Sequence, residues 1–225
     1  MTYRPHDLTD RTILLTGATG ELGVVAVGTA AAAGAQLVLV GRDAGRLAAL
    51  AAQHPGAVTS VHVADLLEAD AVDALAVAAG PDVDAVWHLV GGWRGGQKLP
   101  DQPLADWDWL HGQLARTTVH VARSFADTLA ARPAGRFAIV SSPQALAPTS
   151  GNAGYAAAKA SAEATVLALA HHFRGTPATA NVVVVPSIGK DVPAEDVAQA
   201  LVYLTSDAAG RMSGQRIRLY AGGPS

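Results

Sequence analysis

Three residues carry side chains able to move a proton to or from an oxygen: Ser142, Tyr155 and Lys159. Tyr155 and Lys159 stand four apart at the start of a helical pattern, so they share one helix face. Ser142 lies thirteen residues before Tyr155, at the end of an apolar strand pattern, Arg136 to Ser141. An ammonium close to a phenol favours the phenolate and lowers the tyrosine pKa from about 10. A tyrosine tuned in this way exchanges a proton with an alcohol or carbonyl oxygen, and a neighbouring serine hydroxyl hydrogen-bonds that oxygen as charge develops. Either feature alone has an ordinary explanation. A Tyr/Lys pair at this spacing is more often a solvated helix face, and Ser-Ser after a strand is more often a turn.

A second stretch supplies what the first needs. Ile13 to Leu15 reads as a short buried strand, Gly17, Gly20 and Gly23 follow, and an Ala-rich helical pattern runs on from Glu21 to Ala33. A strand, a glycine turn and a helix N-terminus present free N–H groups and the positive end of the helix dipole to an anion. Glycine lets a pyrophosphate approach the backbone closely.

The rest of the chain must position these two stretches. Beyond a polar lead-in, Arg4 to Asp10, the patterning predicts strands at 36–40, 58–63, 85–90, 136–141, 179–185 and 215–220. Between them it predicts helices at 44–53, 68–79, 104–131, 155–173 and 193–205, the fourth strand being followed by a Gly-rich loop over 93–103. Strands and helices alternate throughout. The expected fold is therefore α/β, a Rossmann-type doubly wound parallel sheet of about seven strands with helices on both faces. No repeat or linker divides the chain, so residues 1–225 are expected to form one dinucleotide-binding domain. Ligands of such sheets sit outside the carboxyl ends of the strands.

Composition narrows the class. Of the 225 residues 50% are hydrophobic and 16% charged, which fits a folded chain and not a disordered one. A net charge of −3 gives no basic footprint for nucleic acid or an anionic membrane. The chain has no cysteine, so disulfides, thiol catalysis and Cys-ligated metals are excluded. The eight histidines show no metal spacing, and no metal site is expected. Met1 to Arg11 carries no apolar signal core and no apolar run approaches a bilayer span, so a cytoplasmic protein is expected.

In combination these residues resemble the short-chain dehydrogenase/reductase family. The resemblance rests on Thr16-Gly17 to Gly23, Asp65-Leu66, Val90-Gly91-Gly92, Ser142, Tyr155-x-x-x-Lys159, Glu195-Asp-Val-Ala198, Ser213-Gly-Gln215 and Gly222-Gly223. It implies hydride exchange between a nicotinamide and an alcohol or carbonyl carbon of a small molecule. Tyr155 would be the general acid/base, Lys159 would lower its pKa and hold the nicotinamide ribose, and Ser142 would orient the substrate oxygen. Thr16, Gly17, Gly20, Glu21, Leu22 and Gly23 would line the pyrophosphate turn, Asp65 and Leu66 would meet the adenine, and Gly91 and Pro186 would complete the cofactor site. Asp65 also reads as a helix cap. Gly41-Arg42 stands where NAD-users place an acid, and a guanidinium matches a 2′-phosphate, so NADP(H) is preferred over NAD(H). Glu21 in the glycine turn, and Asp43 as a partner for Arg42, weigh against that preference. The family's long helix and its tyrosine helix often pair between subunits, which implies a homodimer or homotetramer.

Two departures stand out. Aligned on Trp107 and Arg123, the family's helix asparagine falls on Leu114, so Gln113 replaces it only if the helix is locally shifted. The usual substrate lid after strand six is missing, because Ile188 to Val192 leads straight to Pro193. Both departures favour an alternative, a dinucleotide-binding sensor or assembly subunit with little turnover. The loop of Trp93 and Arg94 reads either as an aromatic wall with an anion contact or, as expected here, as a surface loop with a buried tryptophan.

Overall fold

A computed structural model describes residues 7–220. The lead-in before Asp7 and the expected Gly222-Gly223 tail lie outside them. Seven strands form one parallel sheet: β1 (Thr12–Thr16), β2 (Gln36–Gly41), β3 (Val58–Val63), β4 (Ala85–His88), β5 (Arg136–Ser141), β6 (Thr179–Val184) and β7 (Arg216–Arg218). Their spatial order is β3-β2-β1-β4-β5-β6-β7. The order reverses between β1 and β4, which pair in register from Ile13↔Ala85 to Thr16↔His88. The crevice a ligand would use opens at that reversal.

Residues alternate between the two faces of β1, and that alternation decides what each face buries. Ile13 and Leu15 pack with α1 (Glu21–Ala32), α2 (Ala44–Gln53) and α7 (Ala194–Thr205) through Ala26, Val27, Leu47, Leu201 and Val202. Leu14 faces the opposite layer, where α3 (Ala69–Ala79), α5 (Thr117–Ala131) and α6 (Ala153–His172) contribute Val72, Val121, Phe125 and Val166. With both faces covered, the inner strands read as the unbroken apolar runs that the sequence shows.

The helix expected at 104–131 is interrupted. It comprises α4 (Leu104–Leu110), a π-helical turn over His111–Arg116, and α5. The hydroxyls of Thr117 and Thr118 donate to the carbonyls of Gln113 and Leu114, each at 2.6 Å. These bonds satisfy acceptors in the widened turn, so the shift leaves those two carbonyls paired. Strand four is also shorter than expected, ending at His88. No helix occupies residues 185–193, between β6 and α7. That connector closes on itself instead: Asp191 and Val192 donate backbone N–H groups to Ser187 O, and Gly189 N–H donates to Val192 O at 2.8 Å.

Candidate active site

The glycine turn follows β1 directly. Gly20 is the N-cap of α1 and no side chain caps it, so the first N–H groups of the helix remain available to a ligand. Gly23 is fixed by space. A Cβ there would lie 2.2 Å from Gly17 O. The turn walls a cavity of about 350 Å³ that runs past Gly41, Arg42, Arg46 and Asp65 to Gln113. A second cavity, about 470 Å³, shares Gly20, Glu21 and Gly91 with the first and reaches Tyr155, Lys159 and Pro186. Together they make a crevice along the sheet's carboxyl rim.

Nearly every residue expected at a cofactor lines this crevice. Gly17, Gly20, Glu21, Arg42, Asp65, Leu66 and Gly91 border the first cavity, and Leu22, Gly23, Tyr155, Lys159 and Pro186 border the second. Thr16 does not. It is fully buried beneath the turn, its hydroxyl bonded to His88 Nδ1 at 2.8 Å. Asp65 closes a turn, its carboxylate accepting from Leu67 N–H at 3.0 Å, and is not the helix cap expected of it, because the N-cap of α3 is Glu68. Asp43 caps α2 by accepting from Arg46 N–H at 2.9 Å, and no ion pair among the described residues joins it to Arg42.

Ser142 follows β5, and Tyr155 and Lys159 share one face of α6. Burial raises the Tyr155 phenol above its usual pKa, and a side-chain hydrogen bond with Ser142 partly opposes that rise. The expected lowering by Lys159 is absent, for a geometric reason. The Lys159 ammonium is turned to Val140 O, to which it donates at 2.7 Å, and lies 5.8 Å from the centroid of the Tyr155 ring. Burial brings Lys159 itself down to about 8, with the Glu163 charge opposing. At neutral pH the site therefore holds a protonated phenol beside a charged amine, which suits giving a proton to a carbonyl oxygen.

The structure adds residues that the sequence reading passed over. Ser141, not Ser142, lines the second cavity, and its Oγ is buried without a partner. The strand alternation at the end of β5 is the signal for it. Arg46 joins Arg42 in the first cavity, one helical turn further on. His88, fully buried, links Thr16 to Thr117, whose Oγ1 lies 3.1 Å from His88 Nε2. Because Thr117 donates to Gln113 O, it accepts from Nε2–H, and Thr16 donates to Nδ1. Burial, with the Lys159 charge adding to it, holds His88 neutral by lowering its pKa to about 3. A histidine in the otherwise apolar stretch Ala85 to Val90 was the available hint. Trp93, expected buried, is 58% exposed and walls the second cavity.

Gln113 and Leu114 part company in the π turn. Gln113 borders the first cavity beside Leu66 and Val90, away from Tyr155. Leu114 packs with Leu110, Ala158 and Tyr155, so the position aligned with the family asparagine is apolar where it meets the phenol.

Comparison with known proteins accords with this geometry. The family model for short chain dehydrogenases matches residues 11–200, and the chain belongs to that family. A solved structure described as a putative betaketoacyl-ACP reductase is 27% identical, with TM-score 0.86 over 96% of this chain and 99% of its own. Another, described as a short chain dehydrogenase/reductase family protein, is also 27% identical, with TM-score 0.86 over 96% and 98%. An NADPH-bound short chain oxidoreductase from Pseudomonas aeruginosa, described as containing an atypical catalytic center, shares the fold at 21% identity, TM-score 0.87, over 96% and 97%. No curated protein sequence matches the chain significantly. No helix among the described residues is long and apolar enough to cross a membrane.

Proposed function

We propose that the chain is an NADP(H)-dependent oxidoreductase that interconverts a carbonyl compound and its alcohol, with Tyr155 as general acid/base. The observation that carries this reading is one continuous crevice with a glycine turn at one end and Tyr155 and Lys159 at the other. The residues present fit a dinucleotide. The uncapped α1 N-terminus suits a pyrophosphate, and Arg42 and Arg46 suit a 2′-phosphate. When bound, the nicotinamide supplies or accepts the hydride.

The chain's own groups do the rest. In reduction Tyr155 gives its phenolic proton to the substrate oxygen as that oxygen gains charge. Ser142 hydrogen-bonds the phenol and steadies it, and Lys159, whose ammonium lies 5.8 Å from the phenol ring centroid, is left to hold the nicotinamide ribose. Ser141 Oγ, buried and unpaired, offers a donor at the cavity wall to a polar atom of the bound pair. Leu104, Trp107 and Val119 on the long helix and Leu167 on α6 stand exposed, which supports a homodimer or homotetramer.

A panel of aldehydes and ketones followed at the nicotinamide absorbance tests the assignment. Wild type should turn over at least one member, and Tyr155→Phe should lose about 10²–10⁴-fold in rate while still binding nucleotide. Tight NADPH binding with no turnover on any member would favour the sensor reading instead.

A further inference from the structure

Trp93 stands 58% exposed, yet its ring is held. It rests on the backbone at Gly95, where a Cβ would come within 3.2 Å of the indole Cζ2 and 2.9 Å of Gly151 O. Gly96 N–H donates to that same Gly151 carbonyl at 2.8 Å. Gly151 belongs to the short turn that leads into α6, so the indole and Tyr155 are tied to one frame. Both line the second cavity, as does Ile188, 38% exposed on the closed connector after β6.

Charge is arranged against an anion. Arg94, next to Trp93, is already engaged: its Nη1 donates to Asp106 at 2.9 Å and its guanidinium lies 4.2 Å from the Trp109 ring centroid. Among the described residues the charged side chains lining this cavity are Glu21 and Lys159. Glu21 repels an anion, and Lys159 is bound to Val140 O. A carboxylate or phosphate brought to the phenol would lose water and meet the Glu21 charge as well as a single ammonium already bound to Val140 O.

We infer that the carbonyl substrate is uncharged and aromatic, its ring laid against the Trp93 indole. The inference rests on the oxidoreductase reading and narrows it. A flat ring stacks on an indole and covers apolar surface that no lid covers, whereas an aliphatic ring of similar size lacks the matching quadrupole.

Three probes separate the possibilities: acetophenone, cyclohexyl methyl ketone and 4-carboxyacetophenone. Initial rates give kcat and KM for wild type, Trp93→Phe and Trp93→Ala. Equilibrium dialysis against NADPH-loaded Tyr155→Phe protein, with and without Trp93→Ala, gives affinities without turnover. Acetophenone should exceed both companions about tenfold in kcat/KM and in affinity. Trp93→Ala should abolish that margin through KM with NADPH affinity unchanged, and Trp93→Phe should keep it. If nothing is reduced but the Trp93-dependent binding order holds, the redox reading falls and the aromatic site stands. If the carboxylate binds as well as acetophenone, or Trp93→Ala leaves the order intact, the inference is overturned whatever the turnover.

Discussion

Arg42 and His88 carry charge logic that can be tested one side chain at a time. Asp43 is committed to capping α2, which leaves the Arg42 guanidinium without that carboxylate as a partner. Charge-assisted hydrogen bonds contribute about 1.5–3 kcal/mol each. Arg42→Ala should therefore weaken NADPH binding at least tenfold and leave NADH binding unchanged in a fluorescence titration. Equal losses for both nucleotides would contradict the proposed preference. His88 is a base held neutral in the fold, its pKa lowered from 6.5 to about 3 by burial. Its unfolded form takes a proton near pH 6.5 and its folded form does not. The stability that neutral His88 confers is thus complete above that pH and is lost progressively as pH falls toward 3. From pH 7 to pH 5 the loss is about 2 kcal/mol. Urea unfolding at those two pH values should show it, and His88→Phe should flatten the dependence. An equally steep loss in that variant would place the acid sensitivity elsewhere.

The helical elements are held by side-chain hydroxyls where the backbone leaves its regular pattern. In the π turn Thr117 accepts from His88 and donates to Gln113 O, whereas Thr118 donates to Leu114 O. Removing the Thr117 hydroxyl strands His88 Nε2–H and takes the hydroxyl donor from Gln113 O, whereas removing that of Thr118 takes only the hydroxyl donor from Leu114 O. Each stranded group costs about 1–3 kcal/mol. Thr117→Val should destabilise the protein roughly twice as much as Thr118→Val in thermal unfolding. Equal effects would mean that the link to His88 contributes nothing. The turn also shows why the helix asparagine cannot be recovered by a simple shift. It delivers Gln113 to the glycine-turn cavity and leaves Leu114 against Tyr155.

Across the whole molecule, what was legible in the sequence was whatever follows from period and spacing. The apolar runs of β1, β2 and β6 read as strands because both their faces are buried. Tyr155 and Lys159 read as one face because helical spacing guarantees it. What a side chain turns toward was not legible. Lys159 turns to Val140 O instead of tuning the phenol, and Ser141, not its neighbour, reaches the second cavity wall. The π turn left no periodic trace because it displaces hydrogen bonds within an otherwise helical run. Trp93 was read as a buried tryptophan in a surface loop, whereas the structure leaves it 58% exposed on the glycine backbone it rests on.

The glycine turn on β1 and the phenol on α6 lie far apart in the chain, and they act together only if one crevice unites them. The most direct test is a single transfer: NADPH deuterated at the hydride position of nicotinamide C4, incubated with the protein and a carbonyl compound that it turns over. Deuterium on the carbinol carbon of the product from wild type, appearing at least about a hundredfold more slowly with Tyr155→Phe, is the predicted result. Alcohol formed without the label, or labelled equally fast by both proteins, would contradict hydride transfer with Tyr155 as the proton donor.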